Sequence, residues 1–342
     1  MRRHWSVIGL TLLLAAPMAP AKALVCPPTP NPATLRAALA RPPAATPQAM
    51  PVLHTEGTLP HQGIYDQSVQ AKRDFDYMRV LALAWRTEHD QAALDRLTVY
   101  FDAWTGVYRP SFNPIDETSM DGLIDAYSLS QADLPAATRE NVRRLLRDMA
   151  EGYLARMQAM RPASQGTSVN NWQSHRVKLV TLAAVALHDG HLLNAARTAF
   201  LRQLDANMRA DGSVIDFEER DALHYVVYDL EPLTRAALAA RAMGQDWLVL
   251  AGRDGQSLQK GLNWLLPYAD GRKTHEEEYV HTAVKFDLQR REAGLPGFSG
   301  QWDPKSANGL YWAASLLDAR YHPLAQSLAK NPPLWLAAVC TS

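Results

Sequence analysis

The chain reads as an all-α protein assembled from antiparallel helical hairpins. Three observations point there. From Asp66 to Leu317, apolar residues recur at helical spacing almost without a break. Few runs alternate with period two, so little or no sheet is expected. Turn signals such as Asp189-Gly190 and Asp211-Gly212 fall between the periodic runs, which makes the connections short and the neighbours antiparallel. A toroid of inner and outer helices is one closed form of such hairpins, and an open stack is another. No fixed repeat shows in the letters, which argues against the named solenoid repeats.

The elements follow in order. Residues 1–23 read as an export signal: Arg2 and Arg3, an apolar run from Trp5 to Ala16, and a small-x-small site at Ala21-Lys22-Ala23. The run is too short for a stable membrane anchor. Residues 24–60 form a Pro/Ala-rich arm with one helical patch, Pro32 to Ala40, and 61–342 form one helical domain. Helices are expected over Val69–Trp85, Ala92–Trp104 with Asp90 as N-cap, Asp116–Tyr127 and Ala136–Met160. Further helices follow at Asn171–His188, Leu192–Ala206, Ala222–Met243, Trp247–Leu266, His275–Arg291 and Ala307–Leu317. Loops are expected at His54–Tyr65 and Tyr108–Pro114.

Composition narrows the function classes. Lys plus Arg and Asp plus Glu are both 35 in 342 residues, so net charge is zero and no nucleic-acid partner is indicated. Beyond the signal, no segment is apolar enough to span a membrane, so the mature chain is expected in the periplasm or outside the cell. Cys26 and Cys340 are the two cysteines, and under oxidising conditions they are expected to join as a disulfide.

Two polar stretches carry the candidate chemistry. Ser168 to Arg176 puts two amides, an indole, an imidazole and a guanidinium at the start of a buried helix, where polar groups are costly without partners. Asn171 and His175 share a face by i,i+4 spacing, with Asn170, Trp172 and Arg176 beside them. An N-terminal cap with a satisfied core histidine is the plainer alternative. Arg220 to Leu233 sets His224 and Tyr228 at i,i+4 with Tyr225 between, and a core aromatic stripe is its alternative. A third cluster, Lys273 to His281, supplies Glu277, Glu278 and His281, with Lys285 continuing the face; it contains candidate metal ligands, but a solvated charged surface is the more common explanation. Lys72, Asn113, Tyr65, Asp116 and Glu117 are further candidates for a cleft wall.

Asn170-Asn171 opening a helix, followed by Ala222-Leu223-His224-Tyr225-x-x-Tyr228-x-Leu230-x-Pro232-Leu233, resembles the alginate lyase superfamily. Ala103-Trp104, the Pro-Ser-Phe-Asn-Pro-Ile segment at 110–115 and residues 275–287 are similar to broader members. The likeness covers roughly residues 60–290. It implies an exported (α/α) toroid that cleaves uronic-acid polysaccharides by β-elimination without a cofactor or metal. It implies Tyr228 as the catalytic tyrosine and Asn171 as the amide that binds the sugar carboxylate, supported by Asn170 or Arg176. His175 or Tyr228 then removes the C5 proton, and Tyr228 protonates the leaving oxygen. Arg220, His224 and Tyr225 orient the base or bind sugar, with Trp172, Lys72, Asn113, Glu278 and His281 as further sugar contacts. The chain departs from the pattern twice. Trp172 stands where the family has its histidine, and the family arginine aligns nearest Asp221, one residue from Arg220. These departures suggest a branch acting on another acidic glycan. A glycoside hydrolase using two of Asp116, Glu117, Glu218 and Glu277, or a non-catalytic glycan-binding protein of polysaccharide export, are the alternatives.

Overall fold

The computed structural model describes residues 23–26, 30–160 and 166–341; the expected export signal lies almost wholly outside them. Fifteen α-helices are present among the described residues: α1 (Pro32–Leu39), α2 (Tyr65–Glu88), α3 (Gln91–Val107), α4 (Pro114–Glu117), α5 (Asp121–Ser130), α6 (Ala136–Ala159), α7 (Asn171–Ala186), α8 (Gly190–Asn207), α9 (Ile215–Arg220), α10 (Leu223–Ala242), α11 (Leu258–Ala269), α12 (Lys285–Glu292), α13 (Asn308–Leu317), α14 (His322–Leu328) and α15 (Trp335–Thr341). A single β-bridge, Met208 to Val214, stands in for sheet. No helix among the described residues is long and apolar enough to cross a membrane.

Helices α2, α5, α7, α10 and α13 pack side by side as an inner row. Helices α3, α8, α11 and α14 return along the outside as the second members of hairpins, and α6 lies against α3, α7 and α8. The arrangement is an (α/α) toroid. Sequence explains which helices go inside. In α7 every residue but Trp172 and Val185 is buried, which requires packing on all sides. In α6 the buried positions Val142, Leu145, Leu146, Met149, Tyr153 and Met157 follow a single stripe, with charge elsewhere, as an outer helix demands.

Three expected helices are corrected. Asp116–Tyr127 is broken by a 3₁₀ turn at Thr118–Met120 between α4 and α5. Only Leu258 onward of the Trp247–Leu266 run is helical, because Ser257 caps α11 and Gly252 and Gly255 turn the chain before it. Of His275–Arg291 only α12 is helical, so Glu277, His281 and Lys285 do not share a helix face.

The N-terminal arm is pinned to the toroid. Leu35 and Leu53 are buried, and the Gln48 amide donates to Asp74 at 2.6 Å. Cys26 and Cys340 are joined, with Cα atoms 5.8 Å apart across a sequence separation of 314. The bridge fastens α15, which packs on α2 and α5.

Candidate active site

The N-terminal ends of α7 and α10 form one side of a cleft at the mouth of the toroid. At α7, Asn170 is the N-cap, its side chain accepting from the Trp172 amide at 3.1 Å. Asn171 is held by Asp216 of α9: its backbone N–H donates to Oδ2 at 2.7 Å, and its Nδ2 donates to Oδ1. A carboxylate only accepts, so this pair also fixes which way the amide faces. Burial raises the Asp216 carboxyl to about 6, against the pull of Asn171 and Arg220.

At α10 the chain turns sharply at Asp221, whose backbone is left-handed (φ 51°). Ala222 has no side chain to cap the helix. Glu278, buried and far along the chain, does so instead, accepting from the Leu223 and His224 amides at 2.8 and 2.9 Å. His224, Tyr225 and Tyr228 follow on the first turns. The Arg220 guanidinium lies 3.8 Å from the Tyr225 ring centroid and is clamped by Asp287 at 2.6 and 2.7 Å. Arg290 donates to the Tyr225 hydroxyl at 2.8 Å.

Tyr228 sits between two imidazoles. The His175 centroid is 4.5 Å from its ring, and His224 stacks nearly parallel at 6.4 Å. A tyrosine beside a histidine can have its pKa lowered, but here burial, then Tyr225, raises Tyr228, so its phenol is protonated at neutral pH. Burial lowers both histidines, followed by Lys178 for His175 and Arg290 for His224, so both rings are neutral there.

The cleft encloses 260 Å³ and is lined by Asn171, Trp172, Arg220, His224, Tyr225 and Tyr228, together with Glu56, Tyr65, Arg290 and Phe298. Glu56 arrives on the His54–Ile64 loop, which docks on the buried Asp116. That carboxylate accepts from the Thr55 amide at 2.6 Å, the Glu56 amide at 2.9 Å and His54 Nδ1 at 3.1 Å. Glu56, Arg290 and Phe298 escaped the sequence reading because their stretches carry no motif. Arg290 lies in the segment taken for a surface helix.

Other expected site residues lie outside this cleft. Arg176 points to the far side of α7, donating to the Thr167 carbonyl at 2.5 Å and to Gln173 at 3.2 Å. Lys72 supports the docked loop through Thr55 Oγ1 at 2.7 Å. Asn113 caps α4, and His281 is an exposed partner of Asp221 at 2.9 Å. His175 lines a second cavity of 260 Å³ between the inner helices, and Tyr228 is common to both cavities. The carboxylates considered for hydrolysis are occupied or remote. Asp116 and Glu117 hold loops together, Glu218 pairs with Arg209, and Glu277 is exposed.

The model of the alginate lyase family matches residues 27–275. The fold is similar to an alginate lyase from Bacteroides ovatus, at 16% identity, a TM-score of 0.60 and 91% of each chain covered. It is also similar to alginate lyase A1-III from Sphingomonas species A1, at 19% identity and a TM-score of 0.52, over 80% of this chain and 87% of that one. A tyrosine-to-phenylalanine variant of A1-III complexed with tetrasaccharide aligns at 20% identity and a TM-score of 0.51, over 67% and 68% of the two chains. A search of curated proteins found no match. The matched stretch contains both polar helices and the cleft residues they carry, though not Arg290 or Phe298, and by it this chain belongs to the alginate lyase family.

Proposed function

We propose that this polysaccharide lyase works by β-elimination at a uronate held in the mouth cleft, with Asn171 as carboxylate ligand and Tyr228 as the proton-transfer group. The observation that carries the reading is the shared wall: an amide from α7 and a phenol from α10 line one cavity together with Arg220 and Arg290. The class of reaction, cleavage of an acidic polysaccharide by a lyase, follows from the family.

The C5 proton of a uronate becomes acidic only when the adjacent carboxylate charge is quenched. Asn171 is pre-oriented by Asp216, and Arg290 adds a cation beside Tyr225. Donors fixed in advance stabilise the enolate-like transition state without reorganising. The C5 proton then passes to the neutral His224 imidazole in the same cleft, a C4–C5 double bond forms, the C4–O4 bond breaks, and O4 takes a proton from Tyr228. A neutral phenol at rest suits that last step. Trp172 and Phe298 offer apolar surface to sugar faces. The Cys26–Cys340 bridge supports an oxidising location, the periplasm or the exterior.

Tyr228→Phe tests this on a panel of acidic polysaccharides, following ultraviolet absorbance of the unsaturated product alongside reducing ends. A loss of about 10²–10⁴-fold in kcat is expected. Near-normal absorbance change in that variant removes Tyr228 from the reaction.

A further inference from the structure

His175 has both ring nitrogens constrained. The residue is 3% exposed, and its Nδ1 lies 2.7 Å from Thr118 Oγ1. That oxygen is already an acceptor, because the Lys178 ammonium donates to it at 2.8 Å. The ammonium's other contacts are the Thr118 carbonyl at 2.9 Å and Asp121 at 2.8 Å. An ammonium only donates, so the Thr118 O–H is free for Nδ1. With Nδ1 accepting, the proton of the neutral ring resides on Nε2. The opposite tautomer leaves the Thr118 O–H without an acceptor among the hydrogen bonds of the described residues.

The second nitrogen has a matching surround. Nε2 is buried and closes no hydrogen bond of normal geometry. Tyr228 packs directly on the imidazole, its ring centroid 4.5 Å away. Pro232 explains why an acceptor is available there. It lies inside α10, four residues after Tyr228, and has no N–H to give the Tyr228 carbonyl.

We propose that His175 is a positioning residue, fixed as the Nε2–H tautomer by Thr118 and turned toward the carbonyl that Pro232 leaves without a helical donor. The imidazole braces the turn of α10 that carries the Tyr228 phenol. It does not remove the substrate proton, because its Nε2 already holds one and its Nδ1 accepts from Thr118. This rests on the β-elimination reading, but the tautomer does not depend on substrate.

Three measurements test it on the full chain. Nitrogen-15 NMR of histidine-labelled protein, with His175 assigned by its loss in His175→Gln, should show a protonated Nε2 and a bare Nδ1; Thr118→Val should erase that preference. The reverse pattern in the wild type overturns the proposal. In His175→Gln the amide donor replaces Nε2–H, so kcat should stay within about tenfold of wild type; a loss matching Tyr228→Phe, about 10²-fold or more, makes His175 the base and also overturns it. Pro232→Ala restores a backbone N–H, so it should recover kcat in a His175→Ala background, and no recovery counts against the bracing role. An active Tyr228→Phe enzyme would sink the reading of the reaction while leaving the tautomer result standing.

Discussion

Glu278 tests whether the cleft is held open by a helix cap borrowed from a distant loop. Its carboxylate takes the Leu223 and His224 amides, the first donors of α10, which no local side chain satisfies. Glu278→Ala strands both. A buried donor left unmade costs roughly 1–3 kcal/mol. Leu223 is fully enclosed and His224 only partly so, which puts the sum near 3 kcal/mol, about 2 for the first amide and about 1 for the second. Glu278→Gln keeps one acceptor oxygen and should lose about half of that, roughly 1.5 kcal/mol. Urea unfolding followed by circular dichroism reads both values, and the denaturant slope should be unchanged. KM for the polysaccharide should stay near wild type in the folded Gln variant, because Glu278 is outside the cleft wall. If the Ala variant unfolds within about 0.5 kcal/mol of wild type, the threshold for an ordinary surface change, while KM rises, the cap argument fails and Glu278 binds sugar.

Two further outcomes are expected. Burial raises the Glu231 carboxyl to about 7, so the folded protein binds its proton more tightly than the unfolded chain does. Stability from this group is present below the ordinary glutamate range and is lost as pH rises through 7. Glu231→Gln should therefore be more stable than wild type at pH 8, with the gap closing at pH 5, as read by urea midpoints; an equal gap at both values would contradict it. Removing the disulfide by Cys26→Ser with Cys340→Ser should cost about 6 kcal/mol on loop entropy, given the separation of 314, and a loss under about 1 kcal/mol would mean the unfolded chain is compact without it.

The helical class was legible because one-sided stripes such as that of α6 and runs apolar but for one threonine, such as the C-terminal half of α7, leave little choice of structure. Asp90 announced its helix by cap chemistry and its side chain accepts as expected, whereas Asn170 takes the cap role that was the plainer alternative to sugar binding. The pairing of Asn171 with Tyr228 in one cavity was legible from motif and register. The positions of Arg176 and Glu278 were not. Letters place Arg176 next to the Asn171 face, but a helix turns about 100° per residue, and the Thr167 carbonyl draws its guanidinium to the other side. Glu278 reads as one of three consecutive glutamates, and only the tertiary fold brings it under the bare end of α10. Glu56 reaches the cleft on a loop held by Asp116, 60 residues on, and Arg290 on a short helix whose Asp287 is held by Arg220, 67 residues away.

The join between Cys26 and Cys340 also decides how tension crosses the molecule. A tether attached at both ends of the chain would load a covalent bond first, and the helices between would carry none of the strain.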